Sequence, residues 1–241
     1  MRNNNISRRD KLKSKRRAPA NYLIICEGKK TEPNYFNGLK KQINEKYGNK
    51  VDVLIPNIEI KGTGRNTTDL VKYTQKFANY ASKVYGQVWV IFDKDDYSDE
   101  QFNRAIENCN YNACWSNPNF ELWLLAHLKK VTKYISKDDI LDELNKEFQK
   151  NGLGNYSKND PNIFEKVTKD GKLHIAIENC KQMEELNKNG QASERNPMTK
   201  VYKIVNEEEI KERLGPAMFS RIGDCIKYEE LNKAEKEKVL F

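Results

Sequence analysis

The chain alternates short apolar runs with stretches of helical spacing. The first run, Tyr22-Leu23-Ile24-Ile25-Cys26, stops at Glu27-Gly28. The second, spanning 87–92, contains Val88-Trp89-Val90-Ile91-Phe92 and stops at Asp93-Lys94-Asp95-Asp96. Both are short, aromatic or β-branched, and unbroken by polar residues, as parallel strands are when both faces are covered. Between them, Thr31-Glu32-Pro33 opens a helix, with Thr31 suited to the cap and Pro33 to the first turn. Phe36, Leu39, Ile43 and Tyr47 keep its spacing, and 44–49 end it with Gly48. A second strand lies at 51–55 or at 58–60. The Gly62-Thr63-Gly64-Arg65-Asn66 loop then leads into a helix capped by Thr67 or Thr68 and carried by Leu70, Val71, Phe77 and Ala78. After the aspartates come a helix at 98–108, a strand at 111–115 and a helix at 120–128 entered through Asn117-Pro118.

This β-α-β-α-β-α-β-α order predicts an α/β fold: a four-stranded parallel sheet flanked by helices. Right-handed crossovers leave few strand orders, and the order 2-1-3-4 makes strands 1 and 3 neighbours. The chain leaves them toward opposite faces, so a ligand crevice opens at their C-terminal ends, where Glu27, Asp93 and Asp95 lie. Beyond 130 the pattern is mainly helical, with helices at 135–150, 163–167 and 173–186, loops at 151–162 and 188–197, and a helix opening at 199–205. The stretch 206–241 is also helical in pattern, broken at Leu214-Gly215-Pro216. The division expected is an arm at 1–20, an α/β domain at 21–130 and a helical region at 131–241 packed on it. No internal repeat is visible.

Composition sharpens this picture in three ways. Only 37% of the 241 residues are hydrophobic while 32% are charged, so a folded core must sit under a heavily charged surface. No apolar run approaches the roughly 18 residues that span a bilayer, and the start Met-Arg-Asn-Asn-Asn has no apolar leader. A cytoplasmic protein without membrane association is expected. The net charge of +8 is concentrated: residues 1–17 hold eight Arg or Lys, among them Arg8, Arg9, Arg16 and Arg17, against Asp10 alone. A basic arm on a nearly neutral body is a nucleic-acid footprint, although a solubilising tail has the same composition. The five cysteines, Cys26, Cys109, Cys114, Cys180 and Cys225, form no C-x₂-C pair and meet only two histidines. Buried thiols fit them better than a zinc site.

The acidic strand ends carry the chemistry. On an extended segment Asp93 and Asp95 point to one side and Lys94 to the other. With Glu27 across the crevice, and Asp96 assisting, they form a donor set for Mg²⁺, or Mn²⁺ in its place, which acts mostly on phosphates. Taken alone, the aspartates also suit a solvated turn. Glu27 can serve as metal ligand or general base. Glu121 is either a fourth acid at the crevice mouth or a helix-start carboxylate favoured by the dipole. Lys29 and Lys30 sit beside Glu27, where a cation can stabilise developing charge. Gly62, Gly64 and Arg65 precede a helix and can cradle phosphate, although a plain strand-to-helix turn explains them equally and no Gly-Lys-Ser/Thr follows. His127 shares the apolar face of Phe120 and Trp123. A hydrogen-bonded core histidine is its simpler role, and a phosphate contact the alternative.

Glutamate after strand 1 and aspartates after strand 3 is the order of Toprim domains, which residues 21–128 resemble. Three further blocks narrow the likeness. They are Cys26-Glu27-Gly28 with Thr31-Glu32 and Tyr35-Phe36; Ser116-Asn117-Pro118-Asn119-Phe120-Glu121-Leu122-Trp123 with His127; and Asn196-Pro197-Met198-Thr199-Lys200 with Tyr156-Ser157-Lys158. Together they resemble the RloB family of Toprim-like proteins over about 20–205. The resemblance implies a prokaryotic antiviral role, with the Toprim subunit as a nuclease effector and an ATPase as partner. Relatives in such two-gene systems cleave tRNA. It also implies substrate contacts at Lys158 and Lys200. Self-association is compatible with all of this.

Overall fold

The computed structural model describes residues 21–47, 57–80, 85 and 87–205. The basic arm with Arg8, Arg9, Arg16 and Arg17, the strand candidate at 51–55, Gly48, Cys225 and the stretch 206–241 lie outside the described residues.

The first half contains β1 (Asn21–Cys26), α1 (Thr31–Tyr47), β2 (Asn57–Gly62), α2 (Thr67–Tyr80), β3 (Gln87–Asp93), α3 (Asp99–Glu107), β4 (Asn112–Asn117) and α4 (Glu121–Ala126). The second half contains α5 (Lys137–Lys150), α6 (Ile163–Thr168), α7 (Lys172–Leu186), β5 (Met198–Thr199) and α8 (Tyr202–Val205). The sheet runs β2-β1-β3-β4-β5. β1 is parallel to both β2 and β3, β3 is parallel to β4, and β5 lies antiparallel against β4. Successive strand residues face opposite sides of a sheet. Leu23, Ile24 and Ile25 are at most 2% exposed, so helices cover both faces of the sheet's centre.

The sheet thus has five strands rather than four, and a helix does not open at Thr199. The Lys200 amide donates to the Trp115 carbonyl at 2.8 Å. The Ser116 and Thr199 hydroxyls share a hydrogen bond of 3.0 Å. Two residues of strand leave no readable periodicity, and the helix begins only at Tyr202.

Helix starts follow side-chain chemistry. The Ser98 and Ser136 side chains accept from the amides of Gln101 and Asp139. For α2 the cap is Asn66, whose Oδ1 accepts from the Asp69 amide at 2.9 Å. Neither Thr67 nor Thr68 is the cap, and Thr67 is left free for the site described below.

The helices beyond residue 130 share the core of the sheet. Ile140, Leu144 and Phe148 of α5, Phe164 and Val167 of α6, and Cys180 and Met183 of α7 belong to one apolar cluster with Leu23 and Trp123. Tyr35 is its hub: the rings of Phe36, Phe120, Trp123 and Phe164 meet it edge-on at 5.1–6.0 Å between centroids. Edge-to-face packing of this kind adds about 0.5–1.5 kcal/mol per pair beyond area burial. The four described cysteines are free thiols, Cys26, Cys114 and Cys180 buried and Cys109 half-buried. Among the described residues no helix is long and apolar enough to cross a membrane.

Candidate active site

Neighbouring parallel strands β1 and β3 bring Glu27 and Asp93 together at their C-terminal ends. The Glu27 amide donates to the Ile91 carbonyl at 2.9 Å, which extends the pairing past the end of β1. The Glu27 carboxylate is gripped from three elements. Its Oε2 accepts from the Thr67 hydroxyl at 3.1 Å and from the Asp93 amide at 3.4 Å. Its Oε1 accepts from the Tyr97 hydroxyl at 2.9 Å.

Two more acids complete the cluster. Glu32, in the first turn of α1, is 7% exposed and accepts from the Gly28 amide at 3.0 Å. An added Cβ at position 28 would stand 2.2 Å from Glu32 Oε2, so a side chain there would push this carboxylate out of its place. Glu121 opens α4 and is 4% exposed. It accepts from the Tyr156 hydroxyl at 2.8 Å, with Lys158 Nζ at 3.5 Å. Of its two readings, the fourth-acid one matches this placement. Asp93 lies among these groups, and its Oδ1 is buried with no hydrogen-bond partner.

Such crowding raises the carboxyl pKa values. Asp93 is pushed well above the usual carboxylate range by burial first, then by Glu32, Glu121 and Glu27, against a hydrogen bond from the Phe120 amide. Glu32 is raised by burial and by Glu121 and Glu27. Glu27 is raised by burial and slightly by Asp95, while Tyr97, the Asp93 amide and Thr67 hold it down. Burial and the adjacent Glu27 also raise Tyr97. Three acids thus share a site in which ionising all of them is costly.

Several expected residues stand elsewhere. The strand ends at Asp93, and the backbone turns at Asp95, where φ is 37°. Asp95 and Asp96 therefore do not continue an extended segment. Both face outward onto Lys137, with Asp95 at 3.4 Å from its Nζ. A four-residue turn, not a second inward carboxylate, is what this sequence encodes. The Gly62–Asn66 loop lies against β1, but its amides are engaged: Thr63 N–H and Gly64 N–H donate to Cys26 and Glu27 carbonyls at 3.1 and 2.7 Å, and Arg65 N–H to Thr63 Oγ1 at 3.2 Å. The loop closes the strand end instead of cradling an anion. Gly62 is required by proximity, since a Cβ there would meet the Gly28 carbonyl oxygen and Pro33 Cγ, each at 2.7 Å. The Arg65 guanidinium stacks on Tyr73 at 4.5 Å. The Lys29 side chain lies across Gly64, and Lys30 is exposed.

His127 is a core histidine, not a phosphate contact. It is 1% exposed. Its Nδ1 lies 2.9 Å from the Trp123 carbonyl, which can only accept, so Nδ1 carries the proton. Nε2 then accepts from the Tyr35 hydroxyl at 3.2 Å. Burial lowers its pKa to about 4. Lys200 is likewise structural: it pairs with Glu184 of α7 and lies 5.9 Å over the Trp115 ring. Lys158 does reach the rim of the acid cluster.

Four site residues escaped the sequence reading: Glu32, Thr67, Tyr97 and Tyr156. Glu32 and Tyr156 lie inside the quoted family-like blocks. Tyr97 carries no local signal, because its partner Glu27 is 70 residues away.

The chemistry of the set fits a hard divalent cation. Oxygen donors that repel one another, one of them an orphaned carboxylate oxygen, are what such a cation stabilises. Among the described residues, however, no three His, Cys, Asp or Glu side chains converge as a ready cage. The family model for RloB-like proteins matches residues 22–207. The chain belongs to this family. The match runs from β1 through α8 and so includes the residues of the acid cluster and the helices that cover it. No curated protein and no solved structure matches the chain.

Proposed function

We propose that this RloB-like chain is a metal-dependent phosphodiesterase acting on nucleic acid, RNA or DNA, and serves as an effector of anti-phage defence. The observation that carries the reading is the buried, unpartnered Asp93 Oδ1 among Glu27, Glu32 and Glu121 at the mouth of a parallel sheet. Glutamate after β1 and aspartate after its neighbour β3 is also the arrangement expected of a Toprim domain. Asp93 and Glu121, with Glu27 or Glu32, would hold Mg²⁺ or Mn²⁺, which when bound neutralises carboxylate and phosphate charge together.

Glu27 suits the role of general base. Its raised pKa moves it toward neutral pH, where proton transfer is most effective. Thr67 and Tyr97 fix both its oxygens, so it need not reorganise to take a proton from an attacking water or ribose hydroxyl. Lys158 stands at the rim as a cation for phosphate oxygens. Asp95 and Asp96 are left a secondary role, through their contact with Lys137.

Glu27→Gln should lower cleavage of an RNA or DNA substrate by about 100- to 10,000-fold, the usual worth of a general base. Asp93→Ala should abolish cleavage, and both should remove toxicity on overexpression with far-UV circular dichroism unchanged. Two variants as active and as toxic as wild type would show the reading to be wrong. An ATPase gene beside this one, and loss of phage protection when either gene is deleted, would support the defence role.

A second reading is a catalytically silent nucleic-acid-binding or partner subunit. The lack of a converged three-acid cage among the described residues favours it. It requires binding without cleavage and with no dependence on Mg²⁺.

A further inference from the structure

A basic loop leads from α4 toward the acid cluster and takes no part in the chemistry above. Residues 127–136 connect α4 to α5, and the loop is pinned rather than loose. Val131 is buried, and the Asn196 side chain accepts from the Ile135 amide and donates to the Ile135 carbonyl, both at 3.0 Å. Just past it, Lys137 joins Asp95 and Asp96, on the turn that follows Asp93. The loop therefore ends at the lip of the acid cluster.

Its surface combines three features. Tyr134 is 76% exposed, the most exposed large apolar side chain among the described residues. Lys130 and Lys133 are exposed and make no ion pair among the described residues. Both line a shallow depression of ≈ 320 Å³ together with Leu125, Val131, Tyr134 and Ile135. The acids nearby are already answered: Glu143 by Lys129 and Lys146, and Asp139 by the Ser136 hydroxyl at 2.6 Å. Asp138 points into solvent at the start of α5. A pinned loop presenting an exposed aromatic ring beside two lysines without ion pairs among the described residues matches one ligand chemistry well. The ring stacks on an unpaired base while the ammonium groups follow the phosphates. A duplex offers its bases no such face.

We propose that Tyr134, Lys130 and Lys133 form a docking site for a single-stranded polynucleotide, which leads the strand past Lys137 to the acid cluster. This rests on the nucleic-acid reading of the site, but binding is measured apart from cleavage. Full-length protein is titrated in EDTA into a fluorescein-labelled mixed-sequence 12-nucleotide RNA, the same sequence as DNA, and the matching duplex. Tyr134→Ala should weaken single-strand binding about five- to a hundredfold, and Tyr134→Trp should restore it. Lys130→Ala with Lys133→Ala should reduce the slope of log affinity against log salt by about 1.4. Anionic phospholipid vesicles test the rival surface. The proposal is overturned if wild type binds no single strand, if Tyr134→Ala leaves its affinity unchanged, if duplex binds as tightly as single strand, or if Tyr134 matters only for vesicles. If Tyr134→Ala weakens binding and wild type with Mg²⁺ cuts nothing, this site stands and the nuclease reading falls. If wild type cuts and Tyr134→Ala binds normally, the reverse holds.

Discussion

Acidification should unfold this protein partly through one imidazole. His127 is buried as its neutral Nδ1-protonated form, between an acceptor, the Trp123 carbonyl, and a donor, the Tyr35 hydroxyl. A second proton on Nε2 would meet a hydroxyl already donating to it and would place a charge among Trp123, Tyr35 and Leu124. The pKa falls accordingly from 6.5 to about 4. A histidine whose folded pKa is lowered contributes stability above its unfolded pKa and loses it as pH falls through 6.5 toward 4. Each pKa unit is worth 1.36 kcal/mol, so the loss reaches about 3 kcal/mol at pH 4. Other groups titrate over the same range, so the quantity to measure is a difference. Urea unfolding of wild type and His127→Phe is compared at half-unit steps from pH 7.5 to 4. The variant lacks both hydrogen bonds and leaves the Tyr35 hydroxyl unpartnered, so it starts less stable. The gap to wild type should shrink by about 3 kcal/mol, most of it below pH 6. A gap constant with pH would refute the buried neutral imidazole.

The acid cluster has the opposite sign. Folded pKa values of Asp93, Glu32 and Glu27 are raised, so metal-free protein should lose stability as pH rises from the unfolded carboxylate range toward neutrality. Asp93→Asn should flatten that slope and stabilise the metal-free fold at pH 7.5 while destroying activity; an Asn variant less stable than wild type in EDTA at that pH would contradict the cluster's electrostatics. Gly62→Ala would drive a Cβ to 2.7 Å from the Gly28 carbonyl oxygen and 2.9 Å from Lys29 Cα. Overpacking against backbone should cost about 1–3 kcal/mol by denaturant midpoint, and an unchanged midpoint would show that the two strand ends can part freely.

What could be read from the sequence divides along a physical line. β1 and β3 were legible because parallel strands covered on both faces must be apolar at every position, and their ends were legible because carboxylates interrupt that run. Glu27 and Asp93 followed directly. Asp95 and Asp96 were misplaced because alternation was carried two residues past the strand end at Asp93; a left-handed residue at 95 turns the chain and hands both acids to Lys137. Glu32 was hidden because a carboxylate in a helix's first turn already has an ordinary reason to be there. Its second role depends on the Gly28 amide, and nothing in the spacing signals that. Thr67 was assigned the cap that Asn66 performs. Tyr97 and Tyr156 act across 70 and 35 residues respectively, a distance at which a single sequence carries no pairing signal. β5 was lost for its brevity.

The ring cluster around Tyr35 also sets an order in time. Glu32 sits on α1, whose position depends on Phe164, while Glu121 is answered by Tyr156 and Lys158. A ribosome that has released only the first 150 residues has already made all four acids, yet neither the side chains that flank Glu121 nor the helix that seats α1 has appeared. Completion of the cluster is therefore deferred until two-thirds of the chain has been synthesised. A polypeptide ended at residue 150 would carry all four carboxylates and the residues that grip Glu27, but not the contacts that seat Glu32 and Glu121.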